Sequence, residues 1–413
     1  MTDGAASASG RAYNPEQYDM LVRCSKAEDA AEWNDWRASN QSAPIHLEGA
    51  KLDGLKLRRV WLQNAKLAGA SLVGTDLRLA NLYKTDFTDA NLESAVLCHA
   101  KLEKADMHGV RLVGANLGGA MLPEAQVINA QANPSSWTAA ILRRAHICGS
   151  DLSGADLSDL KAEHVDFAAS KFIGADLVNA TVTDAYLGSA DFDGADLRDA
   201  DLRFSKLERG SLAGAKLNNA DLSGTWMLDS KLGGADFTDA IVDGGTLMTR
   251  CTVDNSTNST SVGLRNARIP VELRARLECN VRRFRWQRWR DGNRWHKIMW
   301  PVVRWFWSVS NYGSSTGQVL CWFFGLAALF AAIYWLCPSI VAGTGTAVEL
   351  DCGRSLARSF YFSIVTMTTL GFGDVHAAPG NTAGYVILTA QVLLGYLMLA
   401  ALVTRLSVLF QES

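Results

Sequence analysis

ADFDGADLRDADLRFS, Ala190–Ser205, places a large apolar residue at every fifth position, Phe192, Leu197 and Leu202, and an alanine two residues before each. The step continues in both directions. Tested at every fifth residue from Leu47 to Leu247, 39 of 41 positions hold Leu, Ile, Val, Met, Phe or Trp; the exceptions are Ala132 and Ala162. Neither the period of a helix nor that of a strand produces this spacing. A chain that turns a corner once per repeat does. Each corner puts one large and one small apolar side chain inside, and the intervening polar residues and glycines face out or form turns. Such a unit cannot bury its apolar side alone, so it must stack on the next.

Units such as AKLDG (Ala50–Gly54), ANLES (Ala90–Ser94) and ADFTD (Ala235–Asp239) resemble the pentapeptide-repeat family. The resemblance covers residues 45–250, half the chain. It implies a right-handed, quadrilateral β-helix with about four repeats per coil. About ten coils at a strand spacing of ~4.8 Å would make a rigid rod on the order of 50 Å long. QANPSSWTAAILRRAH, Gln131–His146, blurs the pattern, yet Ile147 keeps its phase with Val127. A degenerate, bulged coil within one solenoid is the expectation.

Residues 1–44 read as a tail and a capping helix. MTDGAASASG has neither the charged start nor the apolar run of a signal peptide. Asn14 and Pro15 are the N-cap and first turn of a single helix running through YDMLVRCSKAEDAAEWNDWRASN, placed to cover the open edge of the first coil. Asp191, Asp193, Asp196, Asp199 and Asp201 could form a nucleic-acid-mimicking stripe, as in some relatives of the family. The modest acid excess of the repeat fits an ordinary solvated face better, and no nucleic-acid partner is expected.

Residues 251–310 form a bridge. CTVDNSTNSTSVG, Cys251–Gly263, has the small polar composition of a linker. A helix then opens at Pro270, and between Val271 and Ser310 ten Arg or Lys face three acids. This basic cluster precedes an apolar span, which puts it in the cytoplasm against anionic headgroups. Eight of the thirteen tryptophans lie between Trp286 and Trp335, as interface anchors would. KIMWPVVRWFWSV, Lys297–Val309, reads as a helix lying along the membrane surface. Arg282, Arg285 and Arg288 have the step of a voltage sensor, but no apolar span carries them. The eight cysteines form no CxxC pair. Cys337 and Cys352 bracket an outside loop where a disulfide could form, and the others read as buried, reduced thiols.

Residues 311–413 are membrane-like. Val319–Cys337 and Ala383–Val403 contain no charged residue and are each long enough to span a bilayer. Arg354–Gly380, between them, is semi-polar and must dip into the membrane and return, which is tolerated only where backbone is buried in protein or lines water. Both termini are then cytoplasmic.

Within that piece stands TMTTLGFGD, Thr366–Asp374, with no base, nucleophile or metal cluster. A dehydrated cation needs a cage of oxygens, and backbone carbonyls supply one when several chains aim them at a common axis. Gly371 and Gly373 have the φ freedom to turn successive carbonyls inward. The stretch resembles the signature of the potassium-channel pore family. That resemblance implies a filter of Thr369, Leu370, Gly371, Phe372 and Gly373, with K+ held at Thr369, Leu370, Gly371 and Phe372. It implies a pore helix over Arg354–Thr368, and filter support from Tyr361, Phe362, Thr368 and Asp374, Tyr361 hydrogen-bonding Asp374 at the outer mouth. It also implies an inner-helix gating hinge at Gly395. Leu370 and Phe372 depart from the residues usual there, and Val365 stands where some relatives have a glutamate behind the filter.

The expected protein is therefore multidomain: a β-helical solenoid joined to an all-α, two-span pore module with a re-entrant loop. One chain supplies one loop and a closed carbonyl ring needs four, so a homotetramer in the cell membrane is implied, with the inner membrane of a bacterium as its setting. The expected function is passive conduction of K+, with no enzymatic step and no cofactor, and an unidentified cytoplasmic protein as a candidate partner of the rod. Two alternatives stay open: a non-selective cation channel, and a membrane-tethered scaffold whose pore conducts nothing.

Overall fold

A computed structural model describes residues 13–292, 294–309, 316–337, 341–343, 356–368, 375–377 and 381–412. The chain divides into two compact units, residues 1–280 and 281–413.

In the first unit, parallel bridges join residues twenty apart, from His46↔Lys66 through Asp221↔Ile241. Twenty residues per coil is four five-residue sides, so the solenoid is four-sided. Four of the five backbone N–H groups of a repeat have a backbone acceptor. Lys66 N–H donates to Ile45 O of the preceding coil (2.9 Å). Leu67 and Gly69 donate to Asp86 O (2.7 Å) and Thr88 O (2.8 Å) of the following one, and Ala70 N–H closes the turn on Leu67 O (3.0 Å). The remaining N–H belongs to the third residue; where the first position is Asp or Asn, that side chain takes it. Thr88 N–H donates to Asp86 Oδ1 (3.0 Å), and Asp191, Asp196 and Asp201 accept from Asp193, Arg198 and Arg203 in the same way. The acidic stripe is thus largely turn chemistry. Near-complete pairing of the inward and turn backbone groups is what permits a core built from single-residue sides.

The fourth residue of nearly every repeat sits in the left-handed region, Pro134 being an exception; Gly69 (φ 64°) and Asn64 (φ 58°) accept it easily, and Leu79 (φ 60°) and Phe204 (φ 62°) adopt it as well. Inside, the second positions stack in columns. Phe172 lies parallel to Phe192 of the next coil at 4.6 Å and meets Phe167 edge-on at 5.1 Å. Where Ser or Thr replaces the small alanine, its hydroxyl in most cases donates to a carbonyl one coil back: Thr75 to Leu52 O (2.8 Å), Ser150 to Val127 O (2.7 Å), Ser230 to Leu207 O (2.7 Å); Ser135 donates instead to Ala132 O of its own repeat. These hydroxyls are buried without an unmet bond.

The degenerate stretch keeps its register, with one local irregularity: Gly114 N–H donates to Pro134 O, one residue beyond the Asn133 carbonyl that the offset of other coils would select. Gln131, Ser136 and Ile141 keep the twenty-residue pairing with Asp151, Asp156 and Lys161. Trp137 fills the interior in place of Leu, its Nε1–H donating to Ser135 Oγ (2.7 Å).

The amino-terminal cap is two helices rather than one, α1 (Pro15–Ala27) and α2 (Ala31–Ser39). Glu28 ends α1 in the left-handed conformation (φ 56°), its N–H closing on Cys24 and Ser25 carbonyls. Asn14 is the N-cap, its Oδ1 accepting from Glu16 N–H (2.9 Å) and Gln17 N–H (3.2 Å). The pair takes the place of a missing coil. In interior coils the first residue of each side donates backward; here His46, Lys56 and Trp61 N–H donate instead to Gln17 Oε1, Ser25 Oγ and Asn34 Oδ1 at 2.8–2.9 Å. Trp33 Nε1–H and Arg37 Nη2–H serve the Trp61 and Gln63 carbonyls (2.8 and 3.1 Å).

At the other end the register slips. Strands β1 (Lys206–Glu208), β2 (Trp226–Leu228) and β3 (Leu247–Thr249) pair in parallel, with Met227 opposite Met248. Met248, not Leu247, therefore points inward. One extra residue is absorbed at the turn where Asp243 Oδ1 accepts from Gly224, Gly245 and Thr246 N–H at 2.8–3.0 Å. Nor are residues 251–263 a linker. Thr252, Asn258 and Arg268 bridge Lys231, Asp236 and Leu247, and Ser259, Leu264 and Ile269 are buried. Their small polar composition serves turns: Asp254 Oδ1 accepts from Gly234, Ser256 and Thr257 N–H. The first turns of α3 (Val271–Gly292) close this end, burying Leu273 and Leu277, while Asn280 Nδ2 donates to Asp254 O (2.7 Å) and Thr257 O (3.0 Å).

In the second unit, the rest of α3 turns into α4 (Arg294–Val309), which covers the surface-helix stretch. His296 stacks on Trp289 at 4.0 Å, and the Arg290 guanidinium lies 5.3 Å from the Trp300 ring. Among the described residues, two helices are long and apolar enough to cross a membrane, α5 (Thr316–Leu336) and residues Thr382–Val403 of α7 (Thr382–Glu412). The cysteines differ from expectation. Cys24 and Cys279 are buried, but Cys98, Cys148 and Cys251 are only half-buried and Cys321 of α5 is exposed; Cys352 lies outside the described residues. Burial pushes the Cys251 thiol up to about 11.

Candidate functional site

Between the two long helices lie β4 (Val341–Gly343), α6 (Leu356–Met367) and β5 (Val375–Ala377). Helix α6 has twelve residues. At 1.5 Å per residue it is about 18 Å long, roughly half a hydrocarbon core. It packs against both α5 and α7. One cluster joins Val319 and Ala327 of α5, Met367 of α6, and Met398 and Ala401 of α7, with Phe360 and Ile364 against it. A second joins Phe330 and Tyr334 of α5 to Phe362, Ile387 and Leu394.

Six residues, Thr369 to Asp374, separate Thr368 from β5. They comprise the whole expected filter, Thr369, Leu370, Gly371, Phe372 and Gly373, with Asp374 after it, and they lie outside the described residues. Their flanks are described. Upstream, the last turn of α6 is tied by Thr366 Oγ1–H to Phe362 O (2.9 Å) and by Thr368 Oγ1–H to Ile364 O (2.9 Å). Downstream, β5 pairs antiparallel with β4, Ala342 opposite His376. In sequence the stretch is preceded by a helix packed against two long apolar helices and followed by a strand of a two-stranded ribbon.

The supporting residues divide. Phe362 is half-buried, its ring meeting that of Tyr334 at 5.1 Å and 62°. Tyr361 points the other way and is 63% exposed in the single chain. Gly395 sits inside an unbroken α7, where a Cβ would overlap the Met367 carbonyl oxygen and come within 2.9 Å of its carbonyl carbon and Cα. That close approach requires glycine there whether or not the helix bends.

Three polar residues that sequence reasoning passed over come together behind α6. Tyr334 Oη–H donates to Gln391 Oε1, and Gln391 Nε2 donates to Ser363 O (3.0 Å) and Ser363 Oγ (2.8 Å). All three residues are fully buried. The signal was available: Gln391 is the one amide in the stretch Ala383–Val403, and a polar side chain in such a segment calls for a partner.

The chain joins a pentapeptide-repeat solenoid to a segment that matches an ion channel family. Residues 45–78, 62–97, 90–126, 163–199, 195–227 and 211–244 match the family of pentapeptide repeats, in eight copies, and residues 322–412 match the ion channel family. Among solved structures, HetL, a pentapeptide repeat protein involved in heterocyst differentiation regulation in the cyanobacterium Nostoc sp. strain PCC 7120, is 25% identical. It aligns over 53% of this chain and 93% of its own, with a TM-score of 0.35. A pentapeptide repeat protein of the Arabidopsis thaliana thylakoid lumen is 27% identical over 27% of this chain and 68% of its own, TM-score 0.19. Rfr23 of the cyanobacterium Cyanothece 51142 is 19% identical over 34% and 88%, TM-score 0.14. No curated protein matches the chain.

Proposed function

We propose that the chain is one subunit of a homotetrameric, potassium-selective channel of the two-span type, resident in the cell membrane with both termini in the cytoplasm. The observation that carries the reading is TMTTLGFGD, which begins in the last turn of α6, in a segment that matches the ion channel family. Four copies of Thr369–Gly373 around one axis supply the carbonyl cage, with Thr369 completing its inner end and Asp374 at its outer mouth. Helix α6 ends just before the filter, so its carbonyl terminus carries partial negative charge toward the cation path. Tyr361, exposed in the single chain, becomes a contact to the neighbouring subunit and to Asp374. Conduction is passive, down the gradient.

The ten basic residues of Val271–Ser310 hold that segment on the cytoplasmic side, and α4 lies at the lipid interface. The solenoid then stands in the cytoplasm, where its role is assembly, partner binding or regulation. Potassium flux from purified full-length protein in liposomes tests the pore. Gly371→Asp or Gly373→Asp abolishes flux if these residues form the filter, and unchanged flux in both variants overturns the assignment.

A further inference from the structure

The buried trio behind α6 has an arrangement that packing alone does not require. Its members come from three different helices: Tyr334 from α5, Ser363 from α6, Gln391 from α7. An amide has two N–H donors and one carbonyl, and here both kinds of group are used. The Ser363 carbonyl can only accept, so it fixes which end of the amide faces α6, and the remaining oxygen then faces the Tyr334 hydroxyl, which donates. The orientation is thereby determined. Ser363 lies one helical turn before Met367, and Gln391 one turn before Gly395. The polar contact Gln391–Ser363 and the close approach Gly395–Met367 therefore run in step along the same seam between α7 and α6, toward the segment that enters the filter.

We infer that Tyr334, Gln391 and Ser363 are positioning residues of the pore: one hydrogen-bonded clamp that locks the pore helix to both spanning helices and sets how long the filter stays conducting. The inference rests on the channel reading above. It adds a residue set that touches no ion and acts through α6. A dry hydrogen bond has no water to replace it when broken, so the three members act as a unit rather than as independent contacts.

Single-channel recording and flux from full-length protein in liposomes test this. Gln391→Met keeps the volume and removes every bond of the amide; Tyr334→Phe removes one; Ser363→Ala leaves the carbonyl bond in place. The expected result is a fall of about tenfold in the fraction of time Gln391→Met conducts at constant driving force. Smaller falls are expected for the other two, while the current through an open pore and the yield of assembled protein stay at wild-type values. Tyr334→Phe added to Gln391→Met has little further effect, because its partner is already gone. A merely structural role would lower yield without moving the conducting fraction. If Gln391→Met is not recovered, Tyr334→Phe, Ser363→Ala and their double variant give the same cycle. A wild-type pore whose variants conduct for an unchanged fraction of time, or whose effects simply add, overturns the clamp and leaves the channel reading intact. A wild-type chain that carries no flux overturns both.

Discussion

Gly395 of α7 lies against the backbone of Met367 of α6 so closely that a methyl group on Gly395 would sit within 2.9 Å of the Met367 Cα and carbonyl carbon. Backbone cannot move aside as a side-chain tip does. Gly395→Ala therefore forces α7 away from α6 or shifts α6 toward the filter, at an overpacking cost of about 1–3 kcal/mol. The expected outcome is assembled protein with reduced potassium flux. Wild-type flux in this variant would show that the seam between the two helices is not needed for conduction.

Leu79 offers a prediction of the opposite sign. It is an exposed leucine at a turn position with φ 60°, a conformation that leucine adopts at a cost and asparagine more easily. Leu79→Asn should raise the stability of the solenoid by about 1 kcal/mol, read as a shift of its denaturation midpoint. An unchanged or lower midpoint would mean that the Leu79 side chain contributes more than its backbone costs.

Trp33 is fully buried and hydrogen-bonded to the Trp61 carbonyl at the open edge of the first coil. Trp33→Ala should cost about 3–5 kcal/mol locally. Hydrogen exchange ought to report this as lost protection in residues 45–64, with light scattering rising as the freed edge pairs between molecules. Protection equal to wild type would remove the cap from the account.

Asp254 secures the last coil. The Ser256 hydroxyl, with N–H groups of Gly234, Ser256 and Thr257, holds its carboxyl down to about 2. Because the folded value lies below the ordinary carboxylate value near 4, the stabilisation is complete above about pH 4 and is lost as pH falls through about 2. Amide exchange in residues 251–260 should accelerate over that window. Asp254→Asn should exchange faster at neutral pH and lose the acid step; an unaltered acid step in that variant would assign it to another group.

Much of this was legible in the sequence because the five-residue step is set by the backbone itself. Each side needs one inward pair and one turn, and 39 apolar residues in 41 positions record it. The pattern failed where turn chemistry imitates something else. Asp254, Ser256 and Thr257 have linker composition, yet they cap a turn, and the extra residue near Asp243 moved the inward position from Leu247 to Met248. The break between α1 and α2 at Glu28 carries no Gly or Pro to announce it. In the membrane module, composition revealed the two long apolar segments and motif spacing suggested the filter. Gln391 was legible as a polar side chain in need of a partner, but Tyr334 and Ser363 as those partners were not, because the members lie up to 57 residues apart and only helix packing brings them together.

The central claim, that four copies of this chain pass potassium selectively, is tested most directly by the reversal potential of reconstituted full-length protein with potassium on one side and sodium on the other. The account predicts a current that still flows from the potassium side at zero voltage and reverses only at a strongly displaced potential. A reversal near zero under the same opposed solutions would contradict it.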